Sequence, residues 1–177
     1  MNIASQLIRS GLAQGDRPAV ARGTNVLTTY AELSDRVARL ARALRETCKL
    51  DSGDRVALAM KNCPAFLEVL YACWHAGLVA VPVNAKLHQT EFAYILANSG
   101  TRLCFATDDL VETLAPLVEG GLERLICVDT PDYAALLNAD PMPCATRQPE
   151  DAAWLFYTSG TTGQPKGATL SHRNLLA

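Results

Sequence analysis

The sequence lacks several patterns that would assign it to a specialised class of protein. Its acidic and basic residues nearly balance, with a formal net charge of -2 over 177 residues. Without excess positive charge, nucleic acid and anionic lipid surfaces are poor candidates as partners. The sequence contains no apolar run of about 20 residues, the length that a membrane-spanning helix needs. Because it also starts without a basic leader and apolar segment, we expect a cytoplasmic protein.

Cysteine spacing typical of metal sites is also missing. The cysteines form no CxxC pair and have no nearby histidine at ligand spacing, so we expect reduced thiols that mostly act as small buried hydrophobes. These residues are Cys48, Cys63, Cys73, Cys104, Cys127 and Cys144. The histidines are interpreted as structural residues in preference to ligands. They are His75, His88 and His172.

What the sequence does contain is a regular alternation of helical and strand patterns. Residues 28–46 have apolar side chains at helical spacing, and Thr29 with Glu32 predicts a capping box at the start of this helix. The apolar positions are Leu33, Val37, Leu40, Ala41 and Leu44. Buried strands are then predicted at 54–60 and 78–83, with a helix between them that opens near Asn62 and Pro64 and closes at Gly77.

The alternation continues towards residue 129. We predict helices over 89–98 and 108–119, the second with a candidate kink at Pro116, and strands over 102–107 and 124–129. Strands that are apolar on both faces and separated by helices of ten or more residues indicate βαβ units. The predicted fold class is therefore α/β, with a mostly parallel sheet flanked by helices and right-handed crossovers.

Three segments are predicted from these patterns. Residues 1–138 form an α/β subdomain, and residues 139–150, which contain three prolines and no periodicity, form a connector. Residues 151–177 contain a strand, a loop rich in hydroxyl groups, a second strand and the start of a helix at Ser171. We predict no internal repeat.

The loop in "YTSGTTGQPKG", residues 157–167, has the composition of a phosphate-binding site. Its glycines let successive backbone N–H groups converge on an anion, its hydroxyls are neutral donors, and its lysine supplies a mobile countercharge. The candidate phosphate ligands are Thr158, Ser159, Gly160, Thr161, Thr162, Gly163 and Lys166. Because residues 153–157 and 167–170 are apolar, we expect them to pair as strands around a loop, 159–165, that is the most mobile internal segment.

The Walker phosphate loop, G-x-x-x-x-G-K-[ST], is the obvious alternative, and its spacing fails here. Counting from Gly160 places Pro165 where the second glycine is required, and Gly167 follows Lys166 in place of a metal-binding Ser or Thr. The predicted flanks differ as well, because a Walker loop leads from a strand directly into a helix.

The segment "LFYTSGTTGQPKGATLSH" resembles the signature of the adenylate-forming superfamily of acyl- and aryl-CoA synthetases, luciferases and peptide-synthetase adenylation domains. The pattern [ST]-S-G-[ST]-T-G-x-P-K-G is met at every position from Thr158 to Gly167. Residues 27–44, 53–84 and 91–100 also resemble the N-terminal part of these enzymes. The resemblance implies the N-terminal portion of the large domain of an adenylate-forming enzyme.

The resemblance further implies a two-step ligase reaction. A carboxylate attacks the α-phosphorus of ATP, pyrophosphate leaves, and a thiol such as that of CoA captures the acyl-adenylate. Residues Thr158 to Lys166 are assigned to the ATP phosphates, with Lys166 as the cation for the leaving pyrophosphate and Mg²⁺ on the phosphates. The remaining family elements, including the acidic Mg²⁺ ligand, the acyl pocket and the C-terminal lysine, are expected beyond Ala177. By itself the chain is therefore expected to be inactive.

Three hypotheses remain at this point. The stretch "VPVNAKLHQTEFAYIL", residues 81–96, resembles fatty-acyl and aryl-CoA synthetases, so an acyl-CoA ligase for a fatty or aromatic acid is the leading interpretation. An adenylation domain of a peptide-synthetase-like system is the first alternative. A non-catalytic module for nucleotide binding or assembly is the second. The oligomeric state, the Mg²⁺ ligands and the identity of the acid are not predicted.

Overall fold

A computed structural model describes residues 1–158 and 164–177. Its helices are α1 (Ser5–Ala13), α2 (Tyr30–Glu46), α3 (Pro64–His75), α4 (Gln89–Ser99), α5 (Asp108–Leu114), α6 (Pro116–Glu119), α7 (Pro131–Leu136) and α8 (His172–Leu176). Its strands are β1 (Pro18–Arg22), β2 (Asn25–Thr29), β3 (Arg55–Ala59), β4 (Val79–Val83), β5 (Thr101–Ala106), β6 (Arg124–Cys127), β7 (Ala152–Thr158) and β8 (Lys166–Ser171). Within these residues no helix is long and apolar enough to cross a membrane.

The main sheet has six strands in the order β6-β5-β3-β4-β7-β8. Strands β3 to β7 pair in parallel, and only the edge pair β7 and β8 is antiparallel. The predicted α/β class with a mostly parallel sheet is thus confirmed. β1 and β2 form a separate antiparallel hairpin.

Helices cover both faces of the parallel strands. As a result, alternate strand residues are buried in two different cores. Val56 and Leu58 of β3 belong to the core cluster that also contains buried residues of α2, α3 and α7. Ala57 and Ala59 of the same strand face the second cluster, which includes Phe92 and Ile95 of α4. Since both faces of β3 are dry, the strand reads as a continuous apolar run in the sequence.

The start of α2 shows how local chemistry sets an element boundary. The Thr29 hydroxyl accepts a hydrogen bond from the Glu32 backbone N–H at 3.3 Å, and the Glu32 carboxylate accepts one from the Thr29 backbone N–H at 2.8 Å. This reciprocal pair satisfies two donors that a helix start leaves free. The predicted capping box is confirmed, and all five predicted apolar positions of the helix are buried.

Two sequence expectations needed refinement. The helix expected over 108–119 is split at Pro116 into α5 and α6, since proline lacks the N–H that would continue the helix. The cysteines were expected to be mostly buried, and this is wrong for four of the six. Cys73 and Cys104 are buried, and the other four are half-buried. All six are free thiols, as predicted, and burial raises the pKa of Cys104 to about 12.

Candidate phosphate-binding site

The candidate site lies where the antiparallel edge pair joins the parallel strands. β7 runs parallel to β4, with Ala80 opposite Trp154, so its carboxyl end lies at the same sheet edge as those of β3 to β6. The chain leaves β7 after Thr158 and returns at Lys166. Thr158 and Lys166 therefore lie at the carboxyl edge, the edge at which open α/β sheets usually bind ligands.

This edge also contains the point where the strand order reverses. β3 has β4 on one side and β5 on the other, and their crossover helices α3 and α4 contribute to different core clusters. A crevice forms at such a switch point because neighbouring connections turn away from each other. β7 is the next strand beyond β4. Because β4 lies between β3 and β7, the base of the hairpin is two strands away from β3.

Two of the sequence-predicted site residues form the base of the loop. Thr158 and Lys166 are opposite each other in the antiparallel register, and both are exposed. Gln164 is exposed and Pro165 is half-buried. In the part of the chain that the structure describes, no ion pair involves Lys166. A hydroxyl donor and an ammonium donor, two groups that can bind an anion, are thus both exposed at the base of the loop.

The other predicted phosphate ligands are Ser159, Gly160, Thr161, Thr162 and Gly163, which lie outside the described residues. The predicted mobility of 159–165 falls mostly on the same residues, so it stays a prediction. The pairing expected on either side is confirmed, because β7 and β8 form one antiparallel pair from Ala152 and Ser171 to Thr158 and Lys166.

The chain beyond β8 is anchored by buried and backbone contacts. Ser171 caps α8, and the His172 backbone N–H donates to the Asp151 carbonyl at 3.1 Å. The His172 ring is fully buried, and its Nδ1 accepts a hydrogen bond from the Ile3 backbone N–H at 3.2 Å. Burial, reinforced by Arg147, lowers the pKa of His172 to about 4. His172 is therefore a neutral packing residue, as expected.

The remaining histidines also have local structural roles. His75 is buried near the end of α3, and its Nε2 lies 2.8 Å from the Met142 carbonyl oxygen. Burial lowers the pKa of His75. His88 is the N-cap residue of α4, where its backbone N–H donates to the Glu91 carboxylate at 3.0 Å. Within residues 1–158 and 164–177, no group of three or more His, Cys, Asp or Glu side chains could hold a metal ion.

The same sheet edge carries polar residues that the sequence reasoning did not select. Asn84 and Lys86 follow β4, and the Asn84 side-chain oxygen accepts a hydrogen bond from the Lys86 backbone N–H at 3.0 Å. Lys61 follows β3 and forms an ion pair with Asp109 at 2.9 Å. Their common signal is a polar side chain within three residues of the end of a buried strand, which marks the carboxyl edge of a parallel sheet.

A groove of about 670 Å³ lies against α2, α3 and α7, and no residue of β7 or β8 lines it. Its buried carboxylate, Glu68, accepts hydrogen bonds from Arg36 Nε at 2.6 Å, Arg36 Nη2 at 3.0 Å and the Tyr133 hydroxyl at 2.7 Å. These polar groups satisfy one another, so they hold the three helices together without needing a ligand.

Comparison with known proteins assigns the chain to a family. A family model described as AMP-binding enzyme matches residues 8–177. The chain belongs to the AMP-binding enzyme family. This membership accounts for the match of the loop to the adenylate-forming signature. It also accounts for the absence of a Walker spacing.

Two of the similar proteins are named as a CoA synthase and as a fatty-acid ligase. The chain is 45% identical over 158 residues to a feruloyl-CoA synthase of Amycolatopsis sp, an alignment that covers 89% of this chain and 30% of that protein. It is 37% identical over 153 residues to the fatty acid--[acyl-carrier-protein] ligase ScoC of Streptomyces coeruleorubidus, covering 84% of this chain and 29% of that protein. The chain thus spans about a third of the length of these curated relatives.

A solved structure gives the same result for the fold. The N-terminal domain of FACL13 from Mycobacterium tuberculosis superposes with a TM-score of 0.86 at 30% sequence identity. The match covers 97% of this chain and 44% of that domain's chain. The α/β architecture is therefore that of the N-terminal region of an adenylate-forming enzyme, as the resemblance implied.

Proposed function

We propose that the chain is the N-terminal portion of an ATP-dependent acyl-CoA ligase that activates a fatty or aromatic carboxylic acid. The observation that carries the proposal is the pairing of Thr158 with Lys166 at the carboxyl edge of the sheet, at the base of a loop with the family signature. The identity to a feruloyl-CoA synthase supports a CoA ligase, and an aromatic acid in particular.

The proposed reaction has two steps. A carboxylate oxygen attacks the α-phosphorus of ATP, the bond to the β-phosphate oxygen breaks, and pyrophosphate leaves. The thiolate of CoA then attacks the acyl carbon, and AMP leaves with the bonding electrons. The first step brings two anions together, so charge neutralisation and alignment are the main tasks of the protein.

The proposed roles of the loop residues follow from these tasks. Thr158 and the loop residues Ser159 to Gly163 donate hydrogen bonds to the phosphate oxygens, and Lys166 neutralises charge that develops on the leaving pyrophosphate. The exposure of Thr158 and Lys166 and their position opposite each other support this assignment. Lys166 is thus the residue of this chain that we propose as catalytic.

Mg²⁺ fits the donor set only as a metal shared with the phosphates. This ion prefers oxygen ligands and usually binds through one or two carboxylates plus substrate phosphates. Thr158 offers one hydroxyl oxygen, whereas the loop itself has no carboxylate. We propose that Mg²⁺ is bound mainly by ATP and neutralises the leaving phosphates, while Lys166 provides the charge that belongs to this chain.

Carboxylate-dependent release of pyrophosphate tests the proposed function. The full-length protein that contains this chain should release pyrophosphate from ATP when a panel of aromatic and fatty acids is supplied, and should form the acyl-CoA when CoA is added. Release with amino acids alone would instead support the adenylation domain of a peptide-synthetase-like system. No release with any acid would contradict both.

The acceptor thiol has a second candidate. The identity to ScoC, whose name specifies an acyl carrier protein, supports transfer to a carrier-bound thiol. Parallel reactions with CoA and with a phosphopantetheine-carrying protein separate the two. Product formed on the carrier protein and not on CoA would replace CoA as the proposed acceptor.

A further inference from the structure

The last glycine of the signature, Gly167, needs an explanation that its backbone does not provide. Gly167 is the second residue of β8, and it is not among the glycines with positive φ. Its backbone conformation is therefore open to other residues. The requirement for a glycine must come from what surrounds its Cα.

The neighbour that fills this space is Tyr157. The two residues are opposite each other in the antiparallel register, one pair away from Thr158 and Lys166. A Cβ atom at position 167 would lie 3.0 Å from Tyr157 Cζ and 3.2 Å from both Cε1 and the hydroxyl oxygen. The ring thus packs directly on the Gly167 backbone, an arrangement in which an aromatic side chain covers a glycine across the strand pair.

The position of the ring is itself restrained from two sides. The Tyr157 hydroxyl donates to Asn98 Oδ1 of α4 at 2.7 Å. Together with Leu155, Tyr157 packs against the core cluster that contains Phe92 and Ile95 of the same helix. A residue larger than glycine at 167 would therefore displace a side chain that is held in place, or would move β8.

We propose that Tyr157 is a positioning residue for Lys166. Its ring, packed on Gly167 and held by Asn98, sets the distance between β7 and β8 at the base of the phosphate loop. Within the described residues, the register between β7 and β4 consists of the pair Ala80 and Trp154. The carboxyl end of β7 pairs with β8 up to Thr158 and contacts α4 through the Tyr157 hydroxyl. This proposal rests on the proposed function of Lys166.

Gly167→Ala in two backgrounds tests the packing. In the full-length protein, Gly167→Ala should lower kcat for carboxylate-dependent pyrophosphate release by about tenfold, by analogy with misplaced electrostatic donors. In a Tyr157→Ala background, the same change should lower kcat by less than about twofold, because no ring remains to be displaced. The KM for the acid should stay within about twofold in both backgrounds. Equal losses in the two backgrounds would overturn the proposal.

Milder variants keep the test valid if Tyr157→Ala does not fold. Tyr157→Phe and Asn98→Ala each remove the hydrogen bond but keep the ring, so each should lower kcat by about twofold to fivefold. The double variant should lose no more than either single variant, since both remove one interaction. Losses that multiply, or variants indistinguishable from the unaltered protein, would overturn the role of the hydroxyl.

Two control variants show whether the effects are specific. Gly120→Ala at the end of α6 places a Cβ no closer than 3.4 Å to its neighbours, so it should leave kcat unchanged. Tyr71→Phe on α3, where the ring packs edge-on against Trp74, is the matched hydroxyl control. A fall in melting temperature for Tyr157→Phe with kcat unchanged would show a merely structural role and overturn the proposal.

ATP binding by titration calorimetry separates this proposal from the proposed function. If the unaltered protein binds ATP but releases no pyrophosphate with any acid, the proposed function fails. The same Gly167 and Tyr157 variants are then compared by their dissociation constants for ATP. Gly167→Ala should then weaken ATP binding more in the presence of Tyr157 than in its absence. If the unaltered protein does not bind ATP, both proposals fail.

Discussion

The proposed role of Lys166 depends on the register between β7 and β8. It lies opposite Thr158 at the start of β8 and is exposed. In the full-length protein, Lys166→Ala should slow adenylate formation by about 10²-fold, because it removes the charge that stabilises the leaving pyrophosphate. Single-turnover pyrophosphate release measures this rate. Arg9→Ala, which removes an exposed charge on α1, is the control, and an unchanged rate for Lys166→Ala would refute the role.

His172 makes stability depend on pH through the buried neutral form of its ring. Its pKa falls from 6.5 to about 4 because burial and the positive charges of Arg147 and the N-terminal amine oppose protonation, with Asp151 acting in the opposite direction. A lowered pKa in a histidine means that the unfolded state binds the proton more tightly. Stability is therefore full above pH 6.5 and falls as the pH drops towards 4.

Urea unfolding at two pH values tests this coupling. Between pH 7.5 and pH 5 the free energy of unfolding should fall by about 2 kcal/mol from His172 alone. His75 adds a loss of the same sign, because burial lowers its pKa as well. His172→Gln should therefore reduce the pH dependence without abolishing it. An unaltered pH dependence in His172→Gln would contradict the assignment.

At the scale of elements, the sequence predicts the helices and strands that have a buried apolar pattern or a recognisable residue at their ends. The helix over residues 30–46 and strands β3 to β6 have clear apolar patterns, and their boundaries follow from Thr29, Gly77 and Gly100. The β1 and β2 hairpin and α7 were not predicted. Val26 and Leu27 of β2 are exposed, so this strand shows no alternation of buried and exposed residues. α7 has only six residues, too few to show a helical period.

The contact between α2, α3 and α7 could not be predicted from sequence at all. Glu68 appears at an ordinary helical position, yet it is 4% exposed and is bound by Arg36 and Tyr133. Burial and the Glu68 carboxylate raise the pKa of Tyr133, so its hydroxyl stays protonated and donates. The partners are 32 and 65 residues away in the chain, and no local pattern links them.

Removal of one partner should show how much this buried carboxylate depends on its ion pair. Arg36→Met should lower the free energy of unfolding by about 1–3 kcal/mol, since Glu68 would keep a buried charge with only one donor. The lower end of the range reflects the partial exposure of Arg36. Lys61→Met, which breaks the exposed pair with Asp109, should cost no more than about 0.5 kcal/mol. Equal costs for both variants would contradict the importance of burial.

At the scale of the whole molecule, the sequence predicts the residues of the candidate site but not the packing around them. The order of residues from Thr158 to Gly167 predicts a phosphate loop because the spacing itself is the signal. The contact of Tyr157 with Gly167 and Asn98 was not predicted, since it depends on the register of β7 and β8 and on the position of α4. The division into residues 1–138, 139–150 and 151–177 stays a proposal.

The last prediction concerns residues 1–177 produced alone. They span about a third of the length of curated relatives, and the family resemblance places the acyl pocket and the carboxylate-orienting lysine outside them. We expect no adenylate formation by this segment and weaker ATP binding than by the full-length protein. Phe156 of β7 is 46% exposed, so the segment should also present apolar surface and tend to associate. Light scattering and pyrophosphate release decide this point: a stable monomer that forms adenylate would contradict both expectations and would place the whole catalytic apparatus within these residues.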